Sequence, residues 1–233
     1  MGDTVRKTME GELNVSDFAM FSSLNKEEMI RLNYDKSSER WKKGTLIYGE
    51  GSRLNGFYLI SSGIVKVFKM GINGKEQIIR FAKRGDIVGY RSLISQELAC
   101  SSAKVIDEAV LVHIPYDTLL FLIQNNWRFS KHMLELLCGE LKESNEYITN
   151  LAQKSIRERL AEKLLLLKKD FELDNQNTLQ ISLSRIDLAN TVGTATESVI
   201  RELMELKHNN VIDLQGRRIR ILDERSLRRV AHL

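Results

Sequence analysis

The sequence predicts an α+β protein: an N-terminal β-roll, a long helix, and a C-terminal winged helix-turn-helix. Three observations predict it. Ten of the 14 glycines lie between Gly44 and Gly139, where they punctuate short β-branched and aromatic runs. Beyond Trp127 glycine nearly vanishes and apolar residues recur at alternating steps of three and four, a helical seam. Past Leu183 the order helix, short glycine turn, helix, hairpin can be read off the residues.

The β region comes first. LIYGEG, GFYLISSG, IVKVFKMGINGK, EQIIRFAKRGD and AKVIDEAVLVHIP alternate or run β-branched and aromatic, with Gly or Asn-Gly between them. That pattern marks many short antiparallel strands closing as a sandwich or roll. Ile72-Asn73-Gly74 is a hairpin turn in which Asn-Gly would supply positive φ angles. Helical patterns flank the strands at 23–32 and 116–126, and Pro115 stands where a helix can start without its missing N–H being felt.

The long helix is expected over about 128–151, roughly 36 Å at 1.5 Å per residue. Leu134, Leu137, Leu141, Ser144, Ile148 and Leu151 form an a/d seam with one polar member. Such a stripe can pack on its own domain. A long, narrow stripe with Glu135, Glu140, Lys142, Glu143 and Glu146 elsewhere on the helix suits a parallel helix pair in a homodimer better. Ser155 and Glu158 form a capping box opening the next helix, whose apolar face is Leu160, Leu164 and Leu167. Asn150 to Lys154 would be the hinge between the two helices. Three parts follow: residues 1–127 as the β-roll, 128–154 as dimerisation helix and hinge, and 155–233 as the winged helix-turn-helix.

In the last part Ser184 is an expected N-cap with Asp187 in the first turn. Val192-Gly193-Thr194 is a tight turn, and Thr194-Ala-Thr-Glu197 reads as another capping box opening a helix over 195–208. Ile212 to Leu222, broken at Gln215-Gly216, reads as a hairpin. The second helix of a helix-turn-helix enters the DNA major groove with its N-terminal turns at the bases. That places Thr194, Thr196, Glu197, Ser198 and Arg201 nearest the DNA, with Val199, Leu203 and Leu206 turned to the core. A carboxylate accepts from the cytosine amino group, and arginine grips guanine O6 and N7 with both arms. Glu197 and Arg201, four apart, would thus read G·C pairs, their mutual ion pair holding them in register. The plainer reading is an N-terminal carboxylate and its surface partner, worth a few tenths of a kcal/mol. Ser184, Thr194, Thr196 and Ser198 suit phosphates or thymine contacts, and Arg217 and Arg218 on the wing suit phosphates. From Ser155 onward 14 Lys plus Arg face 12 Asp plus Glu, a net of +2. That is small for a DNA binder, so clustering of Arg217, Arg218 and Arg220 on the wing and of Arg225, Arg228 and Arg229 on the tail matters more than the sum.

Bulk properties narrow the classes. The 233 residues carry a formal net charge of +4, which permits a polyanionic partner without demanding one. No apolar run is long enough to span a membrane. The first 15 residues lack the apolar core of a secretory signal, and Arg6 stands where myristoylation prefers Ser or Thr. Two distant cysteines, Cys100 and Cys138, with no Cys/His cluster, exclude a zinc site or a four-cysteine iron–sulfur cluster within the chain. They are expected as free thiols in packed surroundings, in a reducing cytoplasm. His113 and His132 are expected as packed or surface histidines rather than haem ligands.

Over nearly its full length the chain resembles the cyclic-AMP receptor protein / fumarate-nitrate regulator (CRP/FNR) family of bacterial transcription factors. The stretches that carry the resemblance are KKGTLIYGEGSRLNGFYLISSGIVKVFKMGINGKEQIIRFAKRGDIVG (42–89), the long helix, and ISLSRIDLANTVGTATESVIREL (181–203). It implies an effector-sensing jelly roll of the cyclic-nucleotide-binding type over residues 1–127, a homodimer on a two-fold-symmetric operator in double-stranded DNA, and base reading by Glu197 and Arg201. Where one branch has a further base-reading arginine this chain has Thr196, which implies half-sites with a TTG-like element. The effector pocket would lie around Gly89, Tyr90, Arg91, Ser101 and Ser102, with Ser144 and Asn145 where the family's long helix meets the nucleotide. Here the chain departs from the pattern. Cyclic-AMP binders place a Glu after the glycine and an Arg before Ser-Ala; this chain has Tyr90 and Ser101. A phosphodiester wants a cation or several amides, and Ser101 brings no charge. Arg91 stands nearby. Cyclic AMP is therefore not the expected effector, and the N-terminal cysteines of the iron–sulfur branch are absent too. The effector stays unassigned, a small molecule being one candidate.

The leading expectation is a dimeric DNA-binding regulator, with RNA polymerase as a further partner if it activates. The alternative is a small-molecule-binding regulatory subunit whose helix-turn-helix meets only protein. No nucleophile–base set, phosphate loop or metal cluster points to an enzyme.

Overall fold

The computed structural model describes Lys7–Thr8 and residues 15–233, so the reading of the N-terminal leader falls outside the described residues apart from that short strand. Backbone contacts divide the chain into two compact units, residues 1–140 and 141–233.

In the first unit all strands pair antiparallel. Strands β1 (Lys7–Thr8), β2 (Ser37–Trp41), β3 (Leu46–Tyr48), β4 (Gly56–Met70), β5 (Glu76–Ala82), β6 (Ile87–Val88) and β7 (Ser102–Pro115) form one sheet in the order β1-β2-β7-β4-β5, with β3 on β7 and β6 on β4. β4 and β7 are the long spine, in register from Gly56 opposite Pro115 to Phe68 opposite Ser102. Bulges interrupt the spine near Ser62 and Ile64. Gly63 takes φ +83° there, and an added Cβ would sit 2.2 Å from the Glu108 carbonyl oxygen, so no side chain fits. The hairpin after β4 turns through Ile72, Asn73 and Gly74, closed by Gly74 N–H to Gly71 O at 3.0 Å and Gly71 N–H to Lys75 O at 2.8 Å. Only Gly74 has positive φ. It is a three-residue loop ending in a left-handed glycine, and Asn73 is not recruited as a second left-handed residue as the sequence had implied.

Helices close the ends of the roll. α1 (Lys26–Asp35) begins with a full Asn25/Glu28 capping box, α2 (Tyr90–Ser95) begins at Gly89, and α3 (Tyr116–Asn125) begins after Pro115. Asn126 separates α3 from the long helix α4 (Trp127–Gln153). Its Oδ1 accepts the Phe129 amide at 2.9 Å, and its Nδ2 donates to the buried Glu28 carboxylate at 2.7 Å. One asparagine thus caps α4 and supplies a hydrogen-bond donor to a buried acceptor. Two buried apolar clusters fill the unit, one around Phe21, Phe57, Tyr90 and Phe129, the other around Trp41, Ile60, Val65 and Leu111.

The second unit holds the end of α4, then α5 (Ile156–Phe171), α6 (Arg185–Val192), α7 (Thr196–His208), the hairpin β8 (Ile212–Gln215) and β9 (Arg218–Ile221), and α8 (Glu224–Ala231). The Ser155 box is present: Ser155 N–H donates to Glu158 Oε2 at 2.6 Å, and Glu158 N–H donates to Ser155 Oγ at 3.4 Å. Ser155→Ala is expected to lower stability by about 1 kcal/mol, read as a lower midpoint in urea unfolding at unchanged slope. Leu160, Leu164, Leu188, Val199, Leu203, Ile212 and Leu227 are buried together in the core of this unit.

Two sequence readings are corrected here. Asn150 to Gln153 are helical, so the break after α4 is confined to Lys154 and Ser155. Nothing in Asn150–Gln153 stops a helix, and the break is held by Arg159, whose Nη1 donates to Lys154 O at 2.6 Å and whose Nε donates to Val192 O at 3.1 Å. The cysteines are exposed, not packed: Cys100 lies in the loop before β7 and Cys138 on an outward face of α4.

Candidate nucleic-acid interface and effector site

α6 and α7 pack as a helix-turn-helix. Ser184 caps α6, its Oγ accepting the Asp187 amide at 2.9 Å. Gly193 ends α6 in the left-handed region, φ +75°, the conformation glycine adopts without a Cβ penalty. The turn then uses the Thr194 amide, which donates to Ala189 O at 3.2 Å. Thr194 thereby belongs to the end of α6. The N-cap of α7 is Ala195, which has no polar side chain, and Glu197 is the second helical residue. The expected Thr194/Glu197 capping box does not form, because the helix starts one residue later than that box requires. The N-cap residue itself offers no side-chain acceptor to the first amides of α7, and a helix N-terminus is a place that can receive a phosphate.

Val199, Leu203 and Leu206 bury one face of α7 completely. Glu197 and Arg201 stand exposed on the other, while Thr194, Thr196 and Ser198 are half-buried beside them. The expected Glu197–Arg201 ion pair is absent: Arg201 Nη2 lies 3.4 Å from Glu202 Oε1 instead. An exposed pair is worth so little that side-chain rotamers decide it. Both groups remain available to bases. Ile200 and Met204 are also exposed on this helix. The sequence argument missed Ile200, although its place between Glu197 and Arg201 signalled it; an apolar group there suits a thymine methyl.

The wing is braced from two sides. Arg185 Nη2 donates to Gly216 O in the wing turn at 2.8 Å, and the Leu179 amide donates to Ile219 O at 3.0 Å. Gly216 has φ +59°, the sign a two-residue hairpin loop needs at its first position. Arg217, Arg218 and Arg220 are exposed on this hairpin.

The predicted effector residues separate into two groups. Gly89 (φ +89°), buried Tyr90, Arg91, and buried Ser101 and Ser102 all lie in the first unit, at α2 and the start of β7. Ser102 Oγ accepts the Glu50 amide at 2.9 Å. Ser144 and Asn145 are exposed on the part of α4 that belongs to the second unit. Three residues of the first unit escaped the sequence reading: Tyr48, Arg80 and Glu140. Arg80 was visible as the lone cation in EQIIRFA, whereas nothing local marked Glu140 as its partner. Burial pushes the Tyr48 phenol up to about 12, against Arg80 and a hydrogen bond with Ser101. Burial, then the Glu140 charge, also raises Tyr90. Both phenols are neutral hydrogen-bonding groups at physiological pH. His132 lines a cleft of about 200 Å³ that Arg80 also borders, with Asp86 and Leu136, and His113 bonds Asn55 at 3.2 Å. Among the described residues no three His, Cys, Asp or Glu side chains cluster to hold a metal.

On α4, Leu134, Leu141, Ile148 and Leu151 are between 41% and 63% exposed. Leu137 is half-buried against the core of the first unit.

Residues 38–126 match the cyclic nucleotide-binding domain, and residues 158–230 match the Crp-like helix-turn-helix domain. Over 217 residues the chain is 30% identical to the anaerobic regulatory protein of Haemophilus influenzae, an alignment covering 91% of this chain and 83% of that one. The chain belongs to the CRP/FNR family. This CRP/FNR protein is also 28% identical, over 225 residues, to the fumarate and nitrate reduction regulatory protein of Yersinia pestis, with 94% and 89% covered. The solved structure of FixK2 from Bradyrhizobium japonicum shares its fold, with a TM-score of 0.75 at 22% identity over 84% of this chain and 96% of that one. As a CRP/FNR member the protein is a DNA-binding transcription regulator. Among the described residues no helix is long and apolar enough to cross a membrane.

Proposed function

We propose that the protein acts in the bacterial cytoplasm as a homodimer on a palindromic operator, reading each half-site with the N-terminal turns of α7. The observation that carries this reading is the exposed Glu197/Arg201 face of α7, set opposite a fully buried Val199/Leu203/Leu206 face. Exposed side chains of these two types at the N-terminal turns can reach base edges once the helix lies in the major groove. In the proposed complex Arg201 binds guanine, Glu197 accepts from cytosine, and Ile200 meets a thymine methyl. Thr194, Thr196, Ser198, Ser184, Arg217 and Arg218 hold phosphates. The uncovered stripe of Leu134, Leu141, Ile148 and Leu151 supports a helix pair between two copies, with Ser144 as its polar member. The β-roll receives the signal, and the replacement of an acidic and a basic residue by Tyr90 and Ser101 favours one other than cyclic AMP. RNA polymerase is the further partner if the outcome is activation.

The test is selection of duplexes from a random pool by purified protein without added ligand. An enriched palindrome with G·C pairs in both half-sites is expected. Its affinity should fall steeply as salt rises, because counterions are released from the phosphates. A protein-binding helix-turn-helix would enrich no sequence and would show a shallow salt dependence.

A further inference from the structure

Glu140 ends the first unit on α4, with its two carboxylate oxygens divided between two cations. Oε1 lies 3.2 Å from Arg80 Nη2 on β5, and Oε2 lies 3.7 Å from Arg91 Nη1 on α2. The Glu140 and Arg80 side chains are only 15% and 22% exposed. Arg80 Nη2 also donates to Ile87 O at 2.7 Å, which orients its guanidinium. Arg91 follows directly on Tyr90, whose phenol is buried beside the same Glu140 carboxylate. A strand, a short helix and the long helix therefore converge on one withdrawn carboxylate. Such a group is stable only while its cations stay in place, and its removal leaves two cations facing each other. The guanidiniums present the charge and geometry that an anion requires, and the chain fills that place from its own α4.

We propose that Glu140 is a built-in counter-anion. It takes the place of an anionic effector between Arg80 and Arg91 and fastens α4 to α2 and β5, so that the operator is bound without added ligand. Glu140 is thus a positioning residue for DNA binding, and the proposal rests on the regulator reading above.

The test compares wild type, Glu140→Ala and Glu140→Gln on the selected operator, with acetate or chloride as the sodium salt at equal ionic strength. Glu140→Ala empties the space between the guanidiniums, and acetate can refill it. Glu140→Gln keeps the space filled but removes the charge. Operator affinity of Glu140→Ala is expected to fall about 10-fold in chloride, within the range of coupling mutations, and to recover in acetate. Glu140→Gln should fall and show no recovery beyond the general anion effect, which wild type measures and against which the Glu140→Ala recovery is read. Hydrogen exchange of the free protein gives a second readout: amides of Tyr90–Ser95 should exchange faster in Glu140→Ala and slow again with acetate. Unchanged affinity, or a loss that acetate does not restore, would overturn the proposal. Exchange needs no DNA, so unchanged exchange in Glu140→Ala overturns the clamp by itself. Failure of wild type to select any duplex without added ligand would overturn the apo-competent operator reading and with it the ligand-free binding assigned to Glu140, while the exchange measurement reports on the clamp alone.

Discussion

Arg201→Ala is expected to weaken operator binding by about 1–3 kcal/mol per half-site, or about 2–6 kcal/mol over two half-sites, since separated base positions add roughly. The side chain is two-thirds exposed and held only by Glu202 at 3.4 Å, so little protein structure is lost with it. The cost is borne in the complex, where a guanine loses both donors of a bidentate contact. Base preference at that position should relax, and urea unfolding of the free protein should be unchanged. Arg201→Lys separates charge from geometry. It should keep the salt slope of the wild type while losing most of the base preference, because a lysine ammonium lacks the planar fork. Competition binding against duplexes substituted one pair at a time reads both effects. Unchanged affinity and unchanged preference for the alanine variant would remove Arg201 from the base-reading set.

Leu141→Lys is expected to dissociate the proposed homodimer. Leu141 is 62% exposed in the single chain, so a lysine there costs the monomer almost nothing. In a symmetric helix pair the same position recurs across the axis, and two ammonium groups would face each other inside an apolar seam. A penalty of about 2–4 kcal/mol per dimer follows from burying charge without a partner, or roughly a 30- to 700-fold rise in the dimer dissociation constant. Sedimentation velocity over a protein dilution series measures it directly. Operator affinity should fall in step, because a monomer grips one half-site only. A Leu141→Lys protein that sediments and binds as the wild type does would place the seam outside any dimer interface. Leu137 offers the contrast: it packs against the first unit's own core, so its replacement should cost folding stability as well as association.

How much of this was legible beforehand follows from the range over which each force acts. Periodicity is local, and it correctly sorted Val199, Leu203 and Leu206 to the buried face of α7; of the expected stripe Leu134, Leu137, Leu141, Ser144, Ile148 and Leu151, Leu137 packs instead against the first unit's own core while the other leucines and Ile148 are exposed. Capping chemistry is local too, and the Ser155/Glu158 box formed as its spacing demands. At Thr194 the same rule failed, because the Thr194 amide was already committed to closing α6 at Ala189. Two helix ends compete for the residues of one short turn, and a four-residue pattern cannot say which end takes them. The partner of Arg201 was misjudged for a different reason: exposed ion pairs differ by only tenths of a kcal/mol, so spacing alone does not choose among neighbours. Exposure of Cys100 and Cys138 likewise depends on what packs over a loop and over one face of a helix.

The fold class, the order of the elements and the exposed side of α7 lay in the chain itself, since each depends on residues within a few positions of one another. The meeting of Arg80, Arg91 and Glu140 did not. Those three side chains lie on separate elements, each an ordinary surface charge in its own stretch of sequence, and only the packing of β5, α2 and α4 brings them together, with Arg80 and Glu140 withdrawn from water and Arg91 half-exposed beside them.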